Sequence, residues 1–265
     1  MKVPRALTIA GSDSSGGAGI QADLKTFSAL GVYAMSAVAA LTAQNTLGVD
    51  AILEIDPDFV SLQIRSVVLD IGVDAVKTGM LCNAGIISKV SSDLRDLGIE
   101  KVVVDPVMIS KSGVRLLKEN AIDALVSKLF PLALVITPNL DEAATLTGVR
   151  IECLDDMKRV AVKLKQLGPK YVVVKGGHLQ GNPTDLLYDG RNFHEYPGIR
   201  HQSLHTHGTG CTFASAIAAF IARGSSVEDA VGRAKIFITG AIAGGLALGR
   251  GQGPVHHFHE FYDFE

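Results

Sequence analysis

A doubly wound α/β fold on a mostly parallel sheet is what this sequence predicts, and three observations predict it. Short apolar runs without strict alternation recur along the chain, segments of helical period separate them, and glycines stop several of those segments. Repeated βα units of this length cover both faces of a parallel sheet. The first run, Ala6–Ala10, keeps no polar side for water and reads as a buried strand. Helix Ala22–Leu30 follows and stops at Gly31. Helix Pro57–Leu69 opens on Asp56, a capping side chain, with proline in the first turn, where its missing N–H is harmless. Then come strand Ala75–Lys77, helix Ala84–Leu97 stopping at Gly98, strand Val102–Val104, helix Glu119–Leu129 and strand Leu132–Ile136. Helix Asp155–Leu167 stops at Gly168 and leads into strand Tyr171–Val174. Thr184–Tyr196 breaks the rhythm: two strand-like segments flank Asp189-Gly190, the composition of a β-hairpin, which is placed as an antiparallel edge. A small-residue helix, Phe213–Ala222, follows a glycine-rich turn. No linker, repeat or low-complexity tract divides the chain, so residues 1–265 are expected to be one domain.

Composition narrows the function. Of 265 residues, 47% are hydrophobic and 20% charged, and the net charge is -2, which gives neither the basic footprint of a nucleic-acid binder nor a polybasic membrane face. The apolar stretches Ala34–Ala43 and Ile236–Leu248 are interrupted by polar residues or glycine and are too short for a bilayer. Cys82, Cys153 and Cys211 are distant from one another and lack CxxC spacing, so neither a disulfide framework nor a zinc site is indicated. With no signal-peptide pattern at the N-terminus, a cytoplasmic protein is expected.

In doubly wound sheets ligands sit at the carboxyl ends of strands. Those loops are loaded here: Gly11–Gly19 after the first strand, Asp105–Met108 after the third, Thr137–Glu142 after the fourth and Lys175–His178 after the fifth. Carboxylates, an ammonium and bare backbone amides on one rim suit a polyanionic nucleotide and its divalent metal. The run Thr206–Thr212 (THGTGCT) carries the sharpest signal. Its glycines free the amides of Gly208–Cys211 to converge, and the helix behind adds roughly half an elementary charge, so the turn fits an anion. Read without a ligand, the same turn is a glycine cap beside a buried, inert cysteine.

Taken jointly, Ala6–Asp13, Ser15–Phe27, Ala43–Asn45, Lys77–Met80, Asp105–Val107, Thr137–Asn139 with Glu142, Lys175–His178 and His207–Thr212 resemble the hydroxymethylpyrimidine and phosphomethylpyrimidine kinases of thiamine biosynthesis, in the ribokinase-like superfamily. The resemblance runs from about Ala6 to His259. It implies a three-layer α/β/α ribokinase-like fold and ATP-dependent phosphorylation of 4-amino-5-hydroxymethyl-2-methylpyrimidine and then of its monophosphate. No run ends in Gly-Lys-Ser/Thr, so the anion turn is not a Walker A loop.

The resemblance also implies roles. Cys211 accepts the substrate hydroxyl proton, its thiol favoured as thiolate by amides, helix start and metal, while the amides of Gly208, Thr209 and Gly210 hold the transferring group. Lys175, Gly177, Thr209 and Asp105 face the nucleotide, with Lys235 a weaker candidate on the adenine side. Asp105 and Glu142, with Asn139 nearby, organise Mg²⁺ directly or through water; Lys175 and Glu142 also read as a plain salt bridge. Gln44, Gly11, Asp23, Ala18, Met80 and Val107 surround the ring, where a carboxamide matches one ring-nitrogen acceptor beside an amino donor. Gln44 also reads as an exposed loop amide, and Asp23 as a helix residue favoured by the dipole. His256, His257 and His259 read as a packed tail rather than a metal site, and the contacts of His205 stay open. A homodimer is expected, with a small pyrimidine and ATP as ligands. The competing activity is a pyridoxal-type kinase, whose substrates also carry a hydroxymethyl group on a six-membered nitrogen ring.

Overall fold

The protein is described here by a computed structural model, covering residues 3–262 apart from 110–112, 114–115, 178 and 180. Nine strands form one sheet in the order β3-β2-β1-β4-β5-β6-β7-β8-β9. They are β1 (Arg5–Gly11), β2 (Tyr33–Gln44), β3 (Val49–Glu54), β4 (Ala75–Thr78), β5 (Val102–Val104), β6 (Val135–Ile136), β7 (Tyr171–Val174), β8 (Asp185–Tyr188) and β9 (Phe193–Tyr196). β2, β1, β4, β5, β6 and β7 run parallel, while β3 pairs antiparallel with β2 at one edge and β8 and β9 are antiparallel at the other. Chain order reverses at β1, which sets the carboxyl ends of β1 and β4 at the switch point where such sheets bind ligands.

Strand alternation builds two cores. Leu7, Ile9, Val102, Val104, Val172 and Val174 face one side, packed by α2 (Pro57–Asp70), α3 (Ala84–Asp96), α5 (Leu140–Thr147) and α6 (Leu154–Lys165). Ala6, Val103 and Val173 face the other, packed by α1 (Gly19–Ala29), α7 (Thr209–Ala222) and α8 (Val227–Ala243). The result is three layers, helices on both faces of the sheet, as expected.

The expected strands at Ala6–Ala10, Ala75–Lys77, Val102–Val104 and Tyr171–Val174 lie within or match β1, β4, β5 and β7. The 184–196 hairpin is also present, its turn held by Asp189 accepting the N–H groups of Arg191 and Asn192. Three expectations need correction. The β2–β3 pair was not foreseen at all: Ala34–Ala43 forms most of a twelve-residue strand, and Gln44 ends it rather than lying in a loop. The strand expected at Leu132–Ile136 shrinks to Val135–Ile136, because Phe130–Leu132 turns as a 3₁₀ segment around Pro131. The helix expected over Glu119–Leu129 breaks into a 3₁₀ turn, a single α-turn, α4 (Ile122–Ala124), and a π segment.

The C-terminal segment packs inward. The loop after α8 folds onto the β2–β3 turn, where Gly251 N–H donates to Thr46 Oγ1 and Gln252 N–H to the Thr46 carbonyl. His256 Nε2 meets the Tyr262 carbonyl at 2.9 Å, His257 Nε2 meets Thr212 Oγ1 at 3.0 Å and His259 packs beside Phe237. Each ring thus has its own partner, and among the described residues no three His, Cys, Asp or Glu side chains form a group able to hold a metal. Burial, helped by the charge of Lys25, holds the His257 imidazole down to about 3 against an ordinary 6.5. The folded chain therefore keeps His257 neutral where the unfolded chain already binds a proton, so its contribution is intact above pH 6.5 and is lost as pH falls toward 3. Urea denaturation at pH 7 and pH 5 should show His257→Gln losing less stability on acidification than wild type, by up to about 2 kcal/mol.

Candidate active site

The anion turn sits where two glycine loops meet. Gly208 caps α7 with φ of 82°, a left-handed conformation, and a β-carbon there would collide with the Gly17 carbonyl of the first loop. No other residue type fits both demands. Thr209 N–H turns back to the Thr206 carbonyl at 3.3 Å, and Thr212 N–H takes the Gly208 carbonyl at 2.9 Å. The expected set of donors is therefore corrected: the Thr209 amide is engaged within the turn, and Gly210 and Cys211, at the second and third helical positions, have no acceptor inside the helix.

Facing that turn is a buried charge cluster from three strand ends. Lys175, one residue past β7, donates to Asp105 Oδ1 at 2.8 Å, and Thr137 Oγ1 donates to the same oxygen at 3.0 Å. A β-carbon on Gly210 would lie 3.4 Å from Lys175 Nζ and 3.7 Å from Asp105 Oδ2, so the bare backbone of the turn abuts the pair. Burial opposes the Lys175 charge, but Asp105 and then Glu142 hold its pKa above the ordinary lysine value. The bonded ion pair is thus Lys175–Asp105, not the Lys175–Glu142 bridge also read from sequence. Glu142 and Asn139 form a reciprocal cap at the start of α5: Asn139 Oδ1 accepts Glu142 N–H and Glu142 Oε2 accepts Asn139 N–H. Asn139 is accordingly a helix cap beside the cluster. Burial, against the pull of Lys175 and with the push of Asp105, raises the Glu142 carboxyl to about 7.

Cys211 is half-buried on the first turn of α7. Its thiol is raised to about 11 by burial, which outweighs the pull of Lys77 and of the Gly19 N–H, while Asp23 and Asp105 push further upward. The expected depression of its pKa is therefore absent in the chain alone. Lys77 explains part of this balance and was not read as a site residue. It is fully buried on β4, and both Asp23 oxygens accept from its ammonium at 2.9 Å. Thr8 and Ser215 hydroxyls each donate to Asp23 at 2.6 Å. Asp23 is corrected on this point: with four bonds inside the fold and no exposure, it braces the site from below rather than meeting the ring.

Lys235 is likewise committed elsewhere. It donates to Asp185 Oδ2 at 2.8 Å and to the Pro183 carbonyl at 2.6 Å, while Asp185 accepts the Gly176 N–H. It anchors the loop after β7 instead of reaching a nucleotide. Gly177 has no atom within 4 Å of where a β-carbon would stand, so its backbone borders open space. Arg200, also missed, staples this loop by donating to the carbonyls of Gly177, Leu179 and Gly181. His178 lies outside the described residues.

Across the turn lie the residues expected around a ring. Gly11 N–H donates to the Met80 carbonyl at 3.1 Å, and a β-carbon on Gly11 would collide with the Met80 methyl, so glycine makes room for the thioether. Val107 stays partly exposed next to Asp105. Ala18 has both backbone groups engaged, its N–H by Asp13 and its carbonyl by Ala22. Gln44 lies with one end of its carboxamide 3.4 Å from Thr42 Oγ1 and the other 3.4 Å from His207 Nε2. His207 Nε2 also bonds Asp13 Oδ2 at 2.8 Å, tying the first loop to the anion turn. Burial alone would raise Asp13, but His207, Ser15 and Ala18 hold it at about 2. His205 packs between Gly245 and Gly253.

Convergent amides at a helix start, a lysine and carboxylates against them, and one carboxamide held across the turn define a kinase of small molecules. Residues 13–256 match the family model described as phosphomethylpyrimidine kinase, and the chain belongs to that family. It is 51% identical over 254 residues to a hydroxymethylpyrimidine/phosphomethylpyrimidine kinase of Streptomyces coelicolor, covering 96% of this chain and 94% of that one. It is 50% identical over 252 residues to a thiamine biosynthesis bifunctional protein of Geobacter sulfurreducens, covering 95% of this chain but 51% of that longer one. Among solved structures, a pyridoxal kinase from Staphylococcus aureus in complex with AMP-PCP and pyridoxal aligns with TM-score 0.91 at 36% identity, over 99% of this chain and 97% of that one.

Proposed function

We propose that this chain transfers the γ-phosphoryl group of ATP to the hydroxymethyl oxygen of 4-amino-5-hydroxymethyl-2-methylpyrimidine, and then to the resulting monophosphate, giving the pyrophosphate used for thiamine. The observation that carries the reading is the meeting of Cys211, the Gly210–Cys211 amides and the Lys175–Asp105 pair at one end of the sheet, opposite Gln44. In this reading the amides and Lys175 stabilise charge spread over the peripheral phosphoryl oxygens, and Cys211 Sγ takes the hydroxyl proton. Lys77 and the Gly19 N–H favour that thiolate. The residues fit Mg²⁺: Asp105 and Glu142 are buried hard oxygen donors, and Glu142 at about 7 retains a proton that a cation displaces. Asp105 and Glu142 would hold the cation, which when bound would offset phosphate charge. Glu142→Gln should raise the Mg²⁺ concentration needed for half-maximal rate more than it raises KM for the pyrimidine. An unchanged magnesium titration would remove Glu142 from the metal's surroundings.

Initial rates with hydroxymethylpyrimidine, its phosphate and pyridoxal under one Mg·ATP concentration test the assignment directly. A rate on pyridoxal exceeding that on both pyrimidines would reverse it. The likeness to the pyridoxal kinase of S. aureus makes that second reading concrete. Gln44 separates the two. Gln44→Met removes a carboxamide that the 4-aminopyrimidine edge needs and pyridoxal does not, so the kcat/KM ratio of pyrimidine over pyridoxal should fall about tenfold or more. Equal losses on both substrates would mean that Gln44 only shapes the end of β2. We further take residues 1–265 as one cytoplasmic domain that pairs as a homodimer. Exposed Leu41, Leu53, Phe59, Leu62 and Leu69 on β2, β3 and α2 support pairing, and light scattering on the purified chain measures it.

A further inference from the structure

The two ends of a carboxamide have the same shape, so their assignment is decided by their hydrogen-bond partners. With Gln44 Nε2 toward His207 and Oε1 toward Thr42, both contacts conflict. The Thr42 hydroxyl has one hydrogen, and it goes to the Ser12 carbonyl at 2.8 Å, so toward Gln44 this oxygen can only accept. His207 Nε2 lies 2.8 Å from Asp13 Oδ2. That carboxylate also takes the N–H groups of Ser15, Gly17 and Ala18 and the Ser15 hydroxyl, which keeps it an ionised acceptor. Nε2 must therefore carry the hydrogen, which Asp13 takes; toward Gln44, at 3.4 Å, Nε2 presents no lone pair but the flank of a polarised N–H, which suits an amide oxygen and repels an amide N–H. Turning the carboxamide over gives Thr42 a donor and replaces an N–H facing an N–H at His207 with an oxygen facing it.

We propose that His207 and Thr42 lock Gln44 with Oε1 toward His207 and Nε2 toward Thr42, and that this orientation decides which way round the pyrimidine ring lies. The inference rests on the pyrimidine reading given above. Around the ring run N3, then C4 with its amino group, then C5 with its hydroxymethyl. N3 accepts from Nε2 and the amino group donates to Oε1, so the edge runs from the Thr42 side to the His207 side. His207 directly precedes Gly208. The hydroxymethyl group is thereby carried toward the anion turn and Cys211. The opposite carboxamide orientation reverses the edge and carries it away. His207 is thus a positioning residue, acting through Gln44 and joining the first glycine loop, the ring-recognition residue and the phosphoryl site. Thr42 is mostly buried and the His207 side chain only slightly exposed, so bulk water competes little for either contact.

The test compares kcat and KM for hydroxymethylpyrimidine and pyridoxal in wild type, His207→Phe, His207→Gln, Thr42→Val, the Thr42→Val/His207→Phe double variant and Gln44→Met. The pyrimidine-over-pyridoxal ratio should fall about threefold or more in each of His207→Phe and Thr42→Val, and about tenfold or more in the double variant. His207→Gln, which again offers N–H groups, should stay within about twofold of wild type. Adding His207→Phe to Gln44→Met should move the ratio no further, because the lock then has nothing to hold. Crystals soaked with hydroxymethylpyrimidine should show the ring one way round in wild type and both ways round in the double variant. Equal losses for both substrates, or a further loss in the Gln44→Met background, would overturn the lock while leaving the pyrimidine reading in place. A ratio unmoved by Gln44→Met itself would overturn both. If His207→Phe does not fold, Thr42→Val carries the same decision, since it leaves the junction of the two loops intact.

Discussion

Cys211→Ala is expected to lower single-turnover phosphoryl transfer by about 10² to 10⁴ while leaving ATP binding near that of wild type. Alanine keeps the first turn of α7 helical and leaves the amides of Gly210 and Cys211's own position in place, so the anion site survives and the proton acceptor alone is removed. The pH dependence gives a second signature. In the chain alone burial raises the thiol to about 11, so the thiolate fraction climbs about tenfold per pH unit through the neutral range. Because kcat/KM reports ionisations of the free enzyme, it should rise with pH for wild type and lose that rise in Cys211→Ala. Calorimetric titration with ATP and rapid-quench measurement of phosphorylated product separate binding from chemistry. A variant that turns over like wild type would place Cys211 outside the reaction.

What sequence made legible, and what it hid, follows from how far a residue's partners lie along the chain. β5 and β7 are continuous valine runs because helices cover both faces, and that pattern needs no partner to be read. Asp105, Lys175 and the Gly208–Cys211 turn were legible for a related reason: each stands where a buried strand or a helix begins or ends, and such positions are visible in one pass. β2 was not legible: its burial alternates along most of the strand, but alanines and other small apolar residues fill both the buried and the less buried positions, so the sequence carries no alternation, and its pairing with β3 is known only once the hairpin exists. Asp23 was placed around the ring by the resemblance, or read as a helix residue favoured by the dipole, because its lysine partner stands 54 residues away and nothing local points to it. His207 and Asp13 are 194 residues apart, and neither announces the other. The one available signal for Lys77 was a lysine inside an otherwise apolar strand, a position that seldom occurs without a buried anion beside it.

That buried pair sets the last prediction. Lys77→Met should destabilise the fold by about 3–5 kcal/mol, because it leaves the Asp23 carboxylate inside the protein without its cation. Neither side chain of the pair is exposed, so water cannot take over the lost role. The hydroxyls of Thr8 and Ser215 still donate to Asp23, but two neutral donors offset an ionised carboxylate less than an ammonium does. If the cost comes from the stranded charge, it should be largely recovered in Lys77→Met/Asp23→Asn, whose amide oxygen accepts from one of the two hydroxyls while its NH2 donates to the other, which turns to accept, without carrying charge. Urea denaturation of the two variants and wild type measures this, and a single variant within about 1 kcal/mol of wild type would contradict it. Activity should not recover with stability. Lys77 is also the cation that most favours the Cys211 thiolate, and its loss outweighs the smaller relief from losing the Asp23 charge, so the double variant should fold and still turn over more slowly than wild type, with the alkaline rise in kcat/KM moved modestly to higher pH. A double variant that regains both stability and wild-type turnover would confine Lys77 to bracing the sheet beneath the site.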